Sequence, residues 1–290
     1  MPGRIEDYAL IGDMHSAALV GRDGAIDWLC LPRFDSEALF ASLLGTEEHG
    51  FWRIGPAHPD GARPTAAESR RYRGDSLILE SEWTTAHGTV QLIDVMTRSD
   101  GTPRLTRMVE GLTGLVRMRS VFCPRFGYGR TRPWVHQLGD RTVAVAGPDS
   151  VWLDTTARTR VDDHTVYSDF SVSPGERVAF TISWQPSHQQ PPALPDPEHA
   201  LASTGTFWRE WAEQCTYHGP YRDAVIRSLI TLKALTYAPT GGIVAAPTTS
   251  LPEEIGGVRN WDYRFTWLRD AAITLSSLLR TGYREEARAW

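Results

Sequence analysis

A cluster of prolines past the middle of the chain most constrains what the chain can fold into. Residues 185–197 contain five prolines and few apolar side chains. Proline has no backbone N–H and cannot continue a helix or a central strand, so this stretch is typical of an extended linker along a surface. The hydrophobic period also changes across it, from two residues before to helical spacing after. We therefore predict a domain over residues 1–185, a linker over 186–198, and a second domain over 199–290.

The first domain is predicted to be an antiparallel β-sandwich. An Asp-Gly turn between residues 17–20 and 25–30 predicts a hairpin. Eight further strands are predicted at residues 76–84, 89–96, 105–112, 116–122, 142–146, 151–155, 165–172 and 177–183. Many short strands without intervening helices favour a sandwich. The apolar spacing after Asp35 predicts a short helix that ends at Gly45.

The second domain is predicted to be helical. Residues 199–215 and 221–237 carry apolar side chains at helical spacing, and the stripe on the second of them is broad enough for burial on more than one side. A third helix is predicted after Thr266, which has the residue type of an N-cap, and a fourth near Tyr283.

Aromatic and polar residues alternate in the segment that leads into the third helix. The segment reads Asn260-Trp261-Asp262-Tyr263-Arg264-Phe265-Thr266-Trp267-Leu268-Arg269-Asp270. The alternation predicts an extended, half-buried segment with its aromatic residues on one side. Arg269 and Asp270 follow in the first helical turn, off the apolar stripe. Aromatic faces pack on the C–H faces of a pyranose, and a guanidinium with a carboxylate can bond its hydroxyls, so the segment suits a sugar.

The same pattern has a purely structural interpretation. An aromatic alternation is typical of a strand that packs on a core, and Asp270 could serve only the helix dipole. Spacing alone favours this interpretation over sugar binding.

The residues themselves carry a resemblance to a known family. Residues 260–270 closely resemble the first active-site segment of glycoside hydrolase family 15, which contains glucoamylases and bacterial trehalases. A second motif, from Ile11-Gly12-Asp13 through Gly21-Arg22-Asp23-Gly24-Ala25-Ile26-Asp27-Trp28 to Ser36, resembles the opening of the N-terminal domain in the trehalase-like branch. The resemblance implies a multidomain β plus α protein, in which the β-sandwich precedes the first helices of an (α/α)6 barrel that is incomplete here.

The resemblance also implies roles for residues of the aromatic segment. Arg269 and Asp270 would bind the outer hydroxyls of a non-reducing-end glucose. Tyr263 would lie near the developing oxocarbenium charge, Trp267 would form a pocket wall, and Trp261 could bind sugar or be structural. Asp262 and Arg264 are predicted to be structural.

Hydrolysis of this type requires two carboxyl groups across the scissile bond. In family 15 both are glutamates downstream of the segment seen here, so the catalytic acid and base are expected beyond Trp290. The adjacent Glu253 and Glu254 are predicted to be solvated or to structure a loop.

The resemblance implies an exo-acting, inverting α-glucoside hydrolase that releases glucose from the non-reducing end. Its trehalase-like N-terminal motif favours α,α-trehalase. The alternatives are a glucoamylase-type glucan 1,4-α-glucosidase, a disaccharide phosphorylase, and a carbohydrate-binding or scaffold fragment without turnover.

Composition argues against several other classes of partner and cofactor. A net charge of −5 and no Lys/Arg run make nucleic acid an improbable partner. Three widely spaced cysteines, no apolar leader and no membrane-length apolar run predict a cytoplasmic protein with reduced thiols and no membrane partner. The histidines have no metal-ligand spacing, and no nucleotide loop is present, so we expect neither metal nor cofactor. The sequence leaves a homo-oligomer open.

Overall fold

A computed structural model describes residues 3–58, 62–98, 101–254 and 256–290. Its strands fall into two large antiparallel sheets and one small one, and four α-helices follow the large sheets, two before and two after the small sheet. We call residues 9–186, which hold the large sheets, the β region, and residues 197–290 the helical region.

The first sheet has eight strands. They are β1 (Ala9–Gly12), β2 (Ala17–Val20), β3 (Ala25–Cys30), β4 (Ala38–Phe40), β5 (Phe51–Pro56), β10 (Val116–Cys123), β14 (Arg160–Asp162) and β15 (Thr165–Val172). Their order is β1-β2-β3-β5-β10-β15-β14, with β4 paired to β3. The predicted hairpin is β2–β3. Its turn depends on Gly24, whose φ is +74° and where a Cβ would lie 2.1 Å from the carbonyl oxygen of Ile54.

The second sheet also has eight strands. They are β6 (Ser69–Tyr72), β7 (Leu79–Thr85), β8 (Gly88–Thr97), β9 (Arg104–Gly114), β11 (Trp134–Leu138), β12 (Arg141–Ala146), β13 (Asp149–Thr155) and β16 (Arg177–Pro186). Their order is β11-β12-β13-β16-β9-β8-β7-β6. Apolar side chains from both sheets form one core, which includes Ile26, Trp52 and Phe122 from the first and Trp83, Leu92 and Phe180 from the second. The large sheets therefore pack face to face.

An ion pair inside this core ties the sheets together. The Nε of Arg107 in β9 donates to Asp94 of β8 at 2.7 Å, and both side chains are fully buried. The remaining guanidinium nitrogens donate to the backbone carbonyls of Trp52 and Gly24 in the first sheet. A buried charge is costly unless it is paired and hydrogen-bonded, and this arrangement meets both conditions.

The first helix of the helical region packs on the outside of the second sheet. Its helices are α1 (Pro197–Ala212), α2 (Arg222–Ala234), α3 (Leu268–Arg280) and α4 (Arg284–Ala289). Leu201 of α1 packs on Ile93 and Val95 of β8. A separate cluster holds the helices to one another, and it includes Trp208, Trp211, Ile230, Leu278 and Tyr283. Asp196 caps α1 through the N–H of His199, and Pro197 takes the first helical position, where its missing N–H costs nothing.

The irregular chain between β16 and α1 lies against the second sheet. Arg141, which is paired with Asp154, donates to the carbonyl of Pro192 at 2.8 Å. Arg104 donates to the carbonyl of Ala193 at 3.2 Å. The proline-rich stretch is therefore bonded to the sheet surface that it crosses.

Most predicted elements are confirmed, and the misses have physical reasons. All eight strands predicted after residue 75 are present, as are helices at the four predicted places. The helix predicted between Asp35 and Gly45 is wrong, because β4 pairs there with the edge of β3 and only a short 3-10 turn, Ser42–Leu44, follows. Strands β1, β5, β6, β11 and β14 were not predicted. Of the predicted fold class, the structure establishes two antiparallel sheets and a small number of helices.

Candidate functional site

The aromatic segment, residues 260–267, runs antiparallel to residues 244–252. Strand β17 (Leu251–Pro252) pairs with β18 (Asn260–Trp261) to form the small sheet. Further along, the N–H of Ala246 donates to the carbonyl of Tyr263 at 2.9 Å, and Val244 forms a bridge with Thr266. The expected extended segment is thus a two-residue strand followed by irregular, backbone-paired chain.

Burial of charged and aromatic residues in the segment is the reverse of the usual pattern. Arg264 is only 6% exposed, whereas Trp261 is 46% exposed and Phe265 is 51% exposed. The aromatic residues therefore do not act as the core face of a strand. This observation counts against the structural interpretation of the alternation and leaves the aromatic rings available to a ligand.

Arg264 is buried because the β region supplies its partners. Its Nη1 donates to the carbonyls of Ser36 at 2.7 Å and Phe34 at 3.3 Å, and it contacts the Cys30 sulfur at 3.5 Å. Its Nη2 and Nε donate to the Asp262 carboxylate, at 2.8 Å and 3.0 Å for the closest contacts. The structural role predicted for Asp262 and Arg264 matches these contacts.

Electrostatics around Arg264 follow from this burial. Burial opposes ionisation of Asp262, but hydrogen bonds from Arg264 outweigh it and hold the pKa of Asp262 below its usual value. Burial raises the pKa of the Cys30 thiol to about 12, against a smaller opposing effect of Arg264. Burial likewise raises the pKa of Tyr128, whose ring lies under the guanidinium. Asp262 is therefore the anionic partner of Arg264 at neutral pH.

Tyr263 and Trp267 form a stacked aromatic pair. Their ring centroids lie 5.4 Å apart and their planes differ by 22°. Both side chains are partly exposed. Helix α3 begins at Leu268, so Trp267 occupies the N-cap position and the prediction of Thr266 as N-cap is wrong. The backbone of Thr266 is instead part of the bridge to Val244.

Arg269 and Asp270 lie in the first turn of α3, as expected. The Arg269 Nε donates to the Asp270 carboxylate at 3.2 Å, and its Nη2 lies 3.1 Å from the same carboxylate oxygen. The arginine side chain is exposed, so this pair contributes little to folding stability. Together they present donors and acceptors to solvent at the end of the aromatic segment.

Trp261 and Glu253 are joined across the small sheet. The Trp261 Nε1 donates to the Glu253 carboxylate at 2.8 Å, and the Glu253 N–H donates to the carbonyl of Arg259. Glu253 therefore holds this loop together, as the sequence predicted. Glu254 is exposed.

The β region also contacts the chain next to the segment through side chains for which no such contact was predicted. The Trp28 Nε1 of β3 donates to the carbonyl of Pro247 at 2.8 Å. Phe34 and His15 both contact the ring of Tyr237, with centroids 6.4 Å and 5.8 Å apart. Trp28 lies inside a predicted strand. Its partner is more than 200 positions away in the chain, so no local sequence pattern could predict this contact.

A surface groove of about 480 Å³ lies elsewhere, between α1 and residues 73–78. Its arginines have acidic or hydroxyl partners: Arg177 pairs with Glu110 and Glu198, and Arg73 pairs with Glu80. None of the aromatic segment lines it. The groove is therefore separate from the candidate site.

The described residues contain neither a candidate metal site nor a candidate membrane-spanning helix. In residues 3–58, 62–98, 101–254 and 256–290, no group of three or more His, Cys, Asp or Glu side chains could hold a metal ion. Within the same ranges, no helix has the length and apolarity to cross a membrane.

Comparisons with known proteins match both regions. Residues 1–160 match the family described as "Trehalase-like, N-terminal", and residues 219–290 match "Glycosyl hydrolases family 15". The chain is 32% identical to a protein named trehalase from Thermoplasma volcanium, over 98% of this chain and 46% of that protein. It is 34% identical to a protein named trehalase from Thermoplasma acidophilum, over 93% of this chain and 46% of that protein.

A solved structure shares the fold. A bacterial glucoamylase complexed with acarbose superposes with a TM-score of 0.63 at 11% identity, over 100% of this chain and 49% of that one. The present chain therefore spans about half the length of the curated relatives and of the solved structure that it matches.

Proposed function

The chain belongs to glycosyl hydrolases family 15, with a trehalase-like N-terminal domain, and we propose that the protein is an exo-acting, inverting α-glucoside hydrolase whose substrate is α,α-trehalose. The observation that carries the choice of substrate is the similarity to proteins named trehalase along nearly the whole chain. The glucoamylase likeness supports the fold alone at 11% identity, so trehalose is preferred to a maltooligosaccharide.

The aromatic segment supports a sugar site in this proposal. The stacked Tyr263 and Trp267 form an apolar wall against which the C–H face of a glucose can pack. Arg269 and Asp270 follow at once and take the outer hydroxyls of the terminal glucose. Trp261, held by Glu253, extends the aromatic surface. A site that holds the chain end in this way makes an enzyme exo-acting.

We place the domains at residues 1–185 and 199–290, joined by residues 186–198, with the helical region as the start of an (α/α)6 barrel. Leu268, Ile273 and Leu279 on α3 are exposed, and such apolar side chains normally mark a surface that another element covers. In this proposal that element, and the two glutamates that act as general acid and base, lie beyond Trp290, in line with the greater length of the relatives.

The test is glucose release by the product of the complete reading frame, incubated separately with trehalose and maltotriose. We expect trehalose to be preferred, with equal amounts of α- and β-glucose in the first NMR spectra, because inversion converts the attacked glucose to the β anomer while the leaving glucose keeps its α configuration. Formation of glucose 1-phosphate in phosphate buffer would instead identify a phosphorylase. Sugar binding without turnover would identify a binding module.

A matched pair of variants tests the site. Arg269→Ala should lower kcat/KM about 10- to 100-fold, because a charged hydrogen bond to the sugar is lost. The control is Arg288→Ala, since Arg288 is as exposed as Arg269 (76% against 75%) and also pairs with a nearby acid, Glu285. Equal activities for the two variants would show that Arg269 does not bind the substrate.

A further inference from the structure

Arg264 makes a set of contacts that sugar binding does not require. It lies between Tyr263 and Phe265 in the chain, yet its guanidinium reaches 228 and 230 positions back to the carbonyls of Ser36 and Phe34. Those carbonyls belong to the loop between β3 and β4 of the first sheet. One side chain therefore joins the aromatic segment to the β region.

The contacts determine where the neighbouring rings lie. The Asp262 carboxylate accepts from both the backbone N–H and the guanidinium of Arg264, so the backbone at 262–264 is closed into a tight turn around the side chain. Tyr263 lies within that turn. Arg264 is directed into the β region, whereas Phe265 beside it is 51% exposed and Tyr263 is partly exposed.

A second contact holds the strand beside the segment. The Trp28 Nε1 donates to the carbonyl of Pro247, next to residues 244–246, whose backbone pairs with the segment. Ala17 and Phe34 pack on Val244 and Leu235 at the same boundary. Both segments of the antiparallel pair therefore contact the β region. Arg264 makes this contact for the segment that carries the aromatic rings.

We propose that Arg264 is a positioning residue, which fixes the Tyr263–Trp267 wall of the sugar site by anchoring the aromatic segment to the Phe34 and Ser36 carbonyls of the β region. The role rests on the proposed function for its effect on turnover, but the anchoring itself does not. The β region then acts as part of the active-site scaffold, because a displacement of about 1 Å in a binding group can cost about a hundredfold in rate.

The side chain that this role requires is arginine. Its planar fork presents several N–H groups in fixed directions, so one guanidinium can bond a carboxylate and two carbonyls at once. A lysine at this position keeps the charge but cannot reproduce that geometry. Arg264→Lys therefore keeps the charge and loses the hydrogen bonds that anchor the segment, whereas Arg264→Met loses both.

The experiment compares Arg264→Lys and Arg264→Met with Arg53→Met in the product of the complete reading frame. Arg53 is a matched control because it is also a buried arginine with acidic partners, Asp23 and Glu47, but these lie within the β region. We expect the Arg264 variants to raise KM for trehalose about tenfold or more. Arg53→Met should leave KM within about twofold, since partial unfolding lowers the amount of active enzyme and not its KM.

Hydrogen–deuterium exchange provides a readout that needs no turnover. In the Arg264 variants, exchange should accelerate in peptides that cover residues 244–246 and 260–267, and the Arg53 variant should leave it unchanged. An unchanged KM together with unchanged exchange in Arg264→Lys overturns the proposal. If the wild-type protein hydrolyses no α-glucoside, the proposed function fails, and the exchange data alone decide whether Arg264 anchors the segment. If Arg264→Met does not fold, Arg264→Lys carries the comparison.

Discussion

The β region and the helical region satisfy their apolar side chains differently. In the β region the inner faces of two eight-stranded sheets cover each other, and Trp52, Trp83 and Phe180 are buried between them. In the helical region Ala271 and Leu278 of α3 are buried, whereas Leu268 is 77% exposed and Ile273 is also exposed. The β region therefore closes its own core, and the helical region depends on contacts outside itself.

Buried arginines show the same difference. Arg107 finds all of its partners in the β region, on both sheets. Arg264 belongs to the helical region but takes two carbonyls and a sulfur from the β region. The comparison shows that buried polar groups of the β region are paired within it, whereas the aromatic segment needs hydrogen-bond acceptors from the β region.

The largest expected effect is the loss of folding when the regions are separated. Residues 1–196 should give a cooperatively unfolding protein, and residues 197–290 alone should remain unfolded, because their apolar faces would have no partner. The first fragment ends at 196, not 185, because Arg141 and Arg104 bond the chain at Pro192 and Ala193. Circular dichroism and thermal melts of both fragments provide the measurement. A cooperative melt of residues 197–290 would contradict the comparison.

Among single substitutions in the β region, one that breaks the buried ion pair should lower the free energy of unfolding most. Arg107→Met leaves the Asp94 carboxylate buried without its partner, which should lower the free energy of unfolding by about 3–5 kcal/mol. The control is Arg119→Met, which breaks an exposed pair with Asp169 and should cost about 1 kcal/mol or less. Urea denaturation measures both, and similar costs would mean that burial of the pair does not matter.

On α3, the two faces should respond differently to substitution. Leu278→Ala should lower the free energy of unfolding by about 2–5 kcal/mol, since Leu278 packs in the cluster that joins the helices. Ile273→Gln should change it by about 0.5 kcal/mol or less in the 290-residue chain, because Ile273 is exposed there. The same Ile273→Gln change should be clearly destabilising in the product of the complete reading frame if another element covers this face. Neutrality in both proteins would show that the face stays exposed.

The smallest expected effect is a pH dependence at the boundary between the regions. The pKa of Asp262 is lowered in the folded protein, so its contribution to stability is fully present above its unfolded value of about 3.9 and is lost as pH falls through the lower folded value. We expect Asp262→Asn to cost about 1–2 kcal/mol at pH 7. The difference from wild type should shrink below about pH 4. Thermal melts between pH 3 and 7 measure it, and a pH-independent difference would exclude the carboxylate as the cause.

Local pattern was enough for elements that have one amphipathic face or a clear turn. The alternation and turn residues predicted strands β8 and β9, and helical spacing predicted α1 and α2. Strand β5 was missed because it is buried along its whole length and so does not alternate. Edge strands such as β11 and β14 were missed because their side chains are largely exposed. The region between Asp35 and Gly45 was mistaken for a helix because pairing with β3 overrides its local spacing.

The sequence by itself determined which residues of the aromatic segment share a side, because alternation is a property of extended backbone. It also determined that Arg269 and Asp270 enter a helix together. Only the tertiary structure decided that Arg264 is buried while Trp261 and Phe265 are exposed. The reason is that burial of a guanidinium is favourable only where acceptors meet it, and here the carbonyls of Phe34 and Ser36 come from a loop more than 200 positions away in the chain.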